Sequence, residues 1–460
     1  MQQKSELPEG WELPYLKDIL EINPSKPKQG AVPSDTTVTF VPMPAVDADS
    51  GSINAPEVRT FSEVRKGYTA FQNEDVIFAK ITPCMENGKT AIARNLLNNL
   101  GFGSTEFIVL RSNGAIVPDY LHHYIRQDSY RKLAEANMTG SVGQKRVPKE
   151  FVQKTLIPLP PLSEQQRIVA VIKTLFARLD ATRERLDNVP KVLKTFKQAV
   201  LAAACDGRLT EDWRNSNEHV EALSSPKNTT ENNDMNLPIS WTYAAFKSIV
   251  NNLDGKRIPL KSADRKKRQG SYPYYGASGI IDYIDDYIFE GKFLLISEDG
   301  ANLVARNTPI AFIAEGQFWV NNHAHIVQTI DNIPLEYLEI FFNGFDLQHY
   351  ITGSAQPKLT QGSLNKIQIP LPSLPEQIEI VRRVEVLFAF ADSIEAKVAA
   401  AREKSDQLRQ SILAKAFSGE LVPTEAELAR LEGRDYESAE VLLERIKAER
   451  ASSMKNKKKK

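Results

Sequence analysis

The chain has 460 residues, with 58 Lys and Arg against 58 Asp and Glu, 42% hydrophobic and 25% charged. That is the composition of a folded protein of two to three domains, and its balanced charge neither demands nor excludes a nucleic-acid partner, so only local clustering can argue for one. Two distant cysteines, Cys84 and Cys205, support neither a disulfide framework nor a zinc site, and with no apolar leader and no run of 18 apolar residues the expected location is the cytoplasm, away from any membrane.

The chain opens on LPEGW, Leu7 to Trp11. Short β-like runs follow at Val38–Val41, Val76–Ala79 and Phe107–Leu110, then a helix-like stretch from Tyr120 to Leu133 behind Pro118. A turn at Thr139-Gly140-Ser141 leads to Gln144, Lys145 and Arg146. Next comes IPLPPLSEQQRIVAVIKTLFARLD, Ile157 to Asp180. Pro158 and Pro160 force an extended exit, Ser163 is the expected N-cap, and Glu164 falls in the first turn, where the helix dipole favours an acid. Behind it Ile168, Ile172, Leu175, Leu179, Thr182, Leu186 and Val189 keep a 4-3 spacing, the seam of a coiled coil. Pro190 predicts a kink or restart.

The polar stretch Arg214–Asn236 reads as a flexible linker. LPISW, Leu237 to Trp241, opens a second module, with strand-like Phe293–Ser297, Ile310–Ala314 and Ile326–Ile330, helix-like Tyr337–Phe342 after Pro334, and a turn at Thr352-Gly353-Ser354 before Gln356 and Lys358. Then IPLPSLPEQIEIVRRVEVLFAFAD, Ile369 to Asp392, repeats the earlier stretch at a constant offset of 212 that still holds at Gln198/Gln410, Leu201/Leu413, Gly207/Gly419 and Leu209/Leu421. The second helix is expected from Pro375, a first-turn proline, to Phe417, with its seam at Ile380, Val384, Leu387, Ala391, Ile394, Val398, Ala401, Ser405, Leu408 and Ile412. Each seam needs a partner: its own domain or the other helix, and the matching copy favours the other helix. Beyond it, Ala439, Leu442, Leu443 and Ile446 stripe a short helix, and Lys455–Lys460 is expected to be disordered.

The chain is thus two copies of one α+β module, each ending in a long helix. The expected divisions are 1–160, 161–213 (first helix region), 214–236 (linker), 237–372, 373–421 (second helix) and 422–460 (tail).

Catalytic patterns are missing. NGKT at Asn87–Thr90 has Pro83 where a phosphate loop needs glycine, GFG at Gly101–Gly103 reads as a structural turn, and Glu290-Gly291-Lys292 after Asp285 is a chance nuclease-like string. The six histidines show no metal-ligand spacing, and of His323 and His325, alternating on a strand, one should face solvent. No catalytic residues, metal ligands or bound cofactor are expected; the chain should bind rather than catalyse. The candidate DNA contacts are Lys256, Arg257, Lys261, Arg265, Lys266, Lys267 and Arg268, a run opposed in sequence only by Asp264 and followed by Tyr272, Tyr274 and Tyr275, together with Gln144, Lys145, Arg146, Gln356 and Lys358; Lys80 and Lys89 are weaker ones.

LPEGW, the two IPLP-x-L-x-EQ repeats, LKTFKQAVLAAACDGRLTEDWRN at Leu193–Asn215, QSILAKAFSGEL at Gln410–Leu421 and LLERIKAERA at Leu442–Ala451 together resemble the specificity subunit of type I restriction–modification enzymes, a host-defence system, over nearly the whole chain and closest to the enteric type IA branch. The resemblance implies two mixed α/β target-recognition domains joined by two long antiparallel coiled-coil helices. It implies no catalytic site here, but double-stranded DNA, two methyltransferase subunits using S-adenosylmethionine and two restriction subunits using ATP and Mg2+ as partners, with the helices and tail docking the methyltransferases. Like modules on antiparallel helices imply a pseudo-two-fold reader, and their unlike middles an asymmetric, bipartite target. The rivals are a free-standing DNA-binding regulator, an enzyme in its own right, and a scaffold with no DNA role.

Overall fold

The computed structural model describes residues 7–458 except 29, 142, 218–236 and 354, without the side chains of 450 and 452–458. Most of the expected linker, Ser354, Lys459 and Lys460 therefore lie outside the described residues, while Lys455–Lys458 continue the helix Ala439–Lys458. The chain divides into two compact units, Met1–Arg185 with Ala401–Lys460, and Leu186–Ala400. Each unit holds one module, the first half of the long helix that follows it, and the second half of the other long helix.

The first unit carries two four-stranded sheets. One runs Leu20–Ile22, Phe107–Ser112, Val76–Ala79, Thr90–Ile92, all antiparallel; the other runs Glu57–Thr60, Thr37–Val41, Gly101–Gly103, Thr69–Phe71, with Thr37–Val41 parallel to Gly101–Gly103. All four residues of Val76–Ala79 are buried, as expected of a strand covered on both faces. GFG is a strand, not the turn its glycines suggest. A Cβ at Gly101 would sit 2.2 Å from the Phe71 ring and one at Gly103 2.6 Å from the Val41 carbonyl, so only glycine lets the neighbours approach. The stretch Tyr120–Leu133 is two helices, Pro118–Ile125 and Asp128–Ala136, broken where Gln127 turns extended.

The second unit has one six-stranded sheet, in the order Val250–Asn252, Ala324–Thr329, Phe289–Ser297, Ala311–Val320, Gln269–Gly276, Gly279–Ile284. A separate pair joins Thr242–Ala245 to Gln368–Leu371. The helix after Pro334 spans Leu335–Gly344.

The repeated strings close each module in the same way. The residue after Trp11 or Trp241 pairs with the IPLP exit, Glu12 with Leu159 and Thr242 with Leu371. Two fully buried tyrosines, Tyr120 and Tyr337, donate their hydroxyls to the carbonyls of Pro158 (2.9 Å) and Pro370 (2.5 Å). Gln165 and Gln377 each donate to the carbonyl of the last IPLP proline, Pro160 and Pro372, at 2.9 Å. Glu164 and Glu376 accept the indole N–H of Trp11 (2.9 Å) and Trp241 (3.1 Å). They are therefore buried hydrogen-bond hubs as well as dipole partners, and burial raises the Glu164 carboxyl above its ordinary range.

The segment after the opposite helix completes each hub. In the first unit the Glu425 backbone N–H donates to Glu164 at 2.8 Å; in the second the Thr210 hydroxyl donates to Glu376 at 2.8 Å, beside Arg214. Gly419 and Gly207, at φ +84° and +82°, let the chain turn there with Pro8 and Pro238 packed against them, 2.3 and 2.6 Å from where a Cβ would stand.

The long helices span Leu162–Cys205 and Leu374–Ser418. The first begins two residues earlier than an N-cap at Ser163 suggests and the second one residue before Pro375: Pro161 already accepts from Glu164 and Gln165, and Ser163 gives its hydroxyl to Glu425 instead of capping. Pro190 lies inside a helix that does not restart. The halves pair antiparallel in each unit. In the first, Asp180 meets Arg409 and Arg183 meets Asp406 (3.3 Å), three residues forward on one helix and three back on the other; in the second, Lys197 meets Asp392 at 2.7 Å. Ile168, Ile172, Ile380, Val384 and Val398 are buried, and Leu175, Leu179, Leu186, Leu387, Ile394 and Ile412 half-buried. Leu408 departs from the seam, at 45% exposed. Arg409 takes its place, its guanidinium 4.2 Å from the Phe176 ring centroid, and Leu413 is buried below. The tail stripe belongs to the first unit's core, where Ala439, Leu442 and Ile446 are buried with Trp11, Ile168 and Leu413.

Candidate nucleic-acid interface

The turn that both modules share is a closed loop. Thr139 and Arg146 exchange backbone hydrogen bonds at 3.0 and 2.8 Å, and Thr352 and Lys358 do so at 2.9 and 2.8 Å. Each loop leans on the residues after a central strand: Thr82 N–H donates to Lys145 and Gly300 N–H to Pro357, both at 3.0 Å. Gly140 (φ +123°) and Gly353 (φ +82°) are needed because the carbonyls of Gln144 and Gln356 fold back to 3.0 and 2.6 Å from a Cβ position.

Gln144, Lys145 and Gln356 stand exposed at the tips. Arg146 and Lys358, expected as contacts, sit at the loop bases and are held by carboxylates. Arg146 forms a two-pronged pair with Glu106 (3.0 and 2.9 Å) that keeps the Glu106 carboxyl below its usual range, and Lys358 meets Glu298 at 3.2 Å.

The basic run sorts by residue type. Arg257 reaches Glu298 (2.8 Å), Asp254 (3.5 Å) and the Ala324 carbonyl (2.6 Å). Arg265 pairs with Asp282 (2.9 Å) over the Tyr274 ring, and Arg268 with Asp285 (2.9 Å) and Asp286 (3.4 Å) over Trp319. Apart from Asp254 just ahead of the run, the acids that oppose it come from in or beside later strands, which its own sequence, with Asp264 alone, does not reveal. The arginines frame the loop, while Lys256, Lys261, Lys266 and Lys267 are exposed and, among the described residues, make no ion pair. Of the aromatics, Tyr274 is buried, its hydroxyl accepting from the Leu260 N–H at 2.9 Å, and Tyr272 packs on Tyr287.

Lys89 of NGKT donates to the carbonyls of Met43 (3.1 Å) and Val46 (2.8 Å), Lys80 to Thr105 (2.8 Å), and Lys292 pairs with Glu336. All three are thus engaged within the fold. His325 is buried between Asp254 (2.6 Å) and the Leu359 carbonyl (2.8 Å), while His323 lies exposed beside Asp299. Asp254, Glu298 and His325 are spaced like metal ligands, but Arg257 already supplies their positive charge. Burial pushes the Cys205 thiol up to about 12, so it is not a nucleophile. A cleft of about 850 Å³ in the first unit is lined by carboxylates and arginines that neutralise one another, among them Asp128 with Arg131 and Asp180 with Arg409. Among the described residues no helix is long and apolar enough to cross a membrane.

The model of the type I restriction modification DNA specificity domain matches residues 8–191 and again 238–401. The EcoBI specificity subunit of Escherichia coli is 34% identical over 70% of this chain and 70% of its own length. The EcoKI specificity subunit of Escherichia coli K12 is 33% identical over 75% of this chain and 74% of its own. Among solved structures, the HsdS subunit from Thermoanaerobacter tengcongensis superposes with a TM-score of 0.59 at 22% identity, covering 90% of this chain and 98% of that one, which supports the fold. A doubled match to one domain model, falling on the two modules that the repeat defines, makes this chain a member of the type I restriction–modification specificity-subunit family, whose members do not themselves catalyse.

Proposed function

We propose that the chain reads an asymmetric, bipartite DNA duplex in the cytoplasm, one half-site per module, for a type I restriction–modification complex. The carrying observation is the pair of modules with identical closures and different sheets: a common frame presenting two different surfaces. DNA contacts are assigned to Gln144, Lys145 and Gln356 at the loop tips and to Lys256, Lys261, Lys266 and Lys267, with Arg146, Arg257, Arg265, Arg268 and Lys358 shaping the loops that carry them. The matched relatives are restriction-enzyme subunits, which gives the free-standing regulator no support.

Two modification subunits supply S-adenosylmethionine chemistry, and two restriction subunits supply ATP- and Mg2+-dependent cleavage. Two like units support a count of two. Ile378, Val386 and Phe390 on the second long helix, 56%, 57% and 60% exposed, provide an apolar face for a protein partner. The domains are the two modules, 1–160 and 237–372, with helix regions 161–213 and 373–421, linker 214–236 and tail 422–460.

The test is single-molecule methylome sequencing of cells co-expressing this chain with its cognate modification subunit. A split motif with one methylated adenine on each strand is expected; a short continuous palindrome, or no new methylation by a stable complex, refutes the reading. In the same assay, deleting one heptad from both helices, about 10 Å of each, should shorten the spacer by about three base pairs and leave the half-sites alone. An unchanged spacer rules out helix length as the ruler.

A further inference from the structure

We infer that the loops at Thr139–Arg146 and Thr352–Lys358 grip the sugar–phosphate backbone at both half-sites and do not read bases, so the discriminating contacts lie on module-specific surfaces. The inference rests on the DNA-reading role proposed above. A loop that closes both modules in the same way, with Gln144 and Gln356 at the offset of the helix repeat although the second loop is one residue shorter, cannot by itself distinguish two different half-sites. What two unlike half-sites share is the backbone.

The geometry fits that role. Each loop is pinned by a reciprocal backbone pair and presents an exposed glutamine with no side-chain partner among the described residues. The closing cation is neutralised in both, but from different places. Glu106, ahead of the strand Phe107–Ser112, holds Arg146, whereas Glu298, which ends the strand Phe289–Ser297, holds Lys358. The same closed loop with the same neutralised base is thus built from unlike sequence, so its shape is what the two modules keep in common. The Lys256–Arg268 run lies outside the repeated strings, and the first module's sequence has no comparable run, as a half-site-specific element requires.

The experiment uses the chain in complex with its modification subunit, with Gln144→Ala, Gln356→Ala, Lys145→Ala and the double glutamine variant. Duplexes carry both half-sites, either half-site altered, or neither. Each single variant should lower affinity roughly 5-fold on every duplex alike, and the methylated motif should be unchanged. Lys145→Ala should reduce the slope of log affinity against log salt by about one. A relaxed or altered base in one half-site for either glutamine variant overturns the inference in favour of base reading. Unchanged affinity on all duplexes, with a weakened complex with the modification subunit, overturns it in favour of a protein contact. Unaltered thermal unfolding of the variants excludes misfolding, because the tips are exposed. Failure of the parent reading shows separately, as a wild-type complex that does not prefer duplexes carrying both half-sites.

Discussion

The two modules are built alike where they close and unlike where they face outward. In both, a tryptophan, a glutamate, a glutamine, a tyrosine and two prolines lock the first strand to the last and both to a helix start. Beyond that frame the first module folds two four-stranded sheets and the second a single six-stranded one. Their electrostatics also differ. In the first, Glu106 serves Arg146 and, more distantly, Lys80; in the second, Glu298 joins Arg257 to Lys358 and so ties the root of the basic run to the base of the shared loop. A closure that cannot vary frees the rest of the module to vary, because the interior strands need only match their own neighbours.

The largest expected effect breaks the likeness. Trp11→Ala and Trp241→Ala should each cost about 3–5 kcal/mol, from an emptied indole site and one hydrogen bond lost from a buried carboxylate, and each should expose only its own unit to limited proteolysis. Loss of both units together in either variant would show that the closures are not independent. Next, Glu298→Gln and Glu106→Gln sharpen the difference. Glu298→Gln removes the carboxylate of Lys358 and the nearer of the two that hold Arg257 and should lower stability by about 2–3 kcal/mol, whereas Glu106→Gln, partly exposed and serving one close partner, should cost about 1 kcal/mol or less. Chemical denaturation of the two variants measures both, and equal losses would mean that the Arg257 link is not structural.

A pH-dependent effect is confined to the second unit. Burial, with the charges of Glu336 and Glu385 and against that of Lys292, raises the Glu339 carboxyl from its usual 4.5 to about 7. A carboxyl that keeps its proton when folded but loses it when unfolded makes folding less favourable as pH rises from about 4.5 to about 7, with no further loss above that. Glu339→Gln should flatten that decline in a titration of melting temperature, and an identical pH profile in the variant would show that Glu339 titrates normally.

Much of the frame is legible in the sequence because it is repeated: the offset of 212 locates both helices, their register and the two loops. Apolar runs such as Val76–Ala79 mark some of the strands, whereas polar ones such as Gln269–Gly276 and Glu57–Thr60 leave no such run. The errors have local causes. Arg409, whose guanidinium lies over the Phe176 ring, outcompetes Leu408 for the seam, which a hydrophobicity pattern cannot foresee. Pro190 is carried inside a helix whose seam is buried on both sides of it, at Ile172 and at Leu193 and Val200. In the candidate site, the run Lys256–Arg268 was visible but its sorting was not. Apart from Asp254, three residues before Arg257, the acids that engage Arg257, Arg265 and Arg268 arrive from residues 17 to 41 positions away, through strand pairing that no local pattern reveals. The indole-to-carboxylate bonds of Trp11 and Trp241 were hidden for the same reason, although LPEGW, LPISW and the repeated Glu-Gln pairs were the signal that could have linked them.

The hub at Glu164 also orders events in time. A ribosome delivers Trp11 and Glu164 before the second module, but the Glu425 N–H, the turn at Gly419 and the Ala439–Ile446 stripe only after it. The second unit has no such wait, because Thr210 and Gly207 are already made before its own strands appear. The module translated first is therefore completed last, after the whole of the second module has been made.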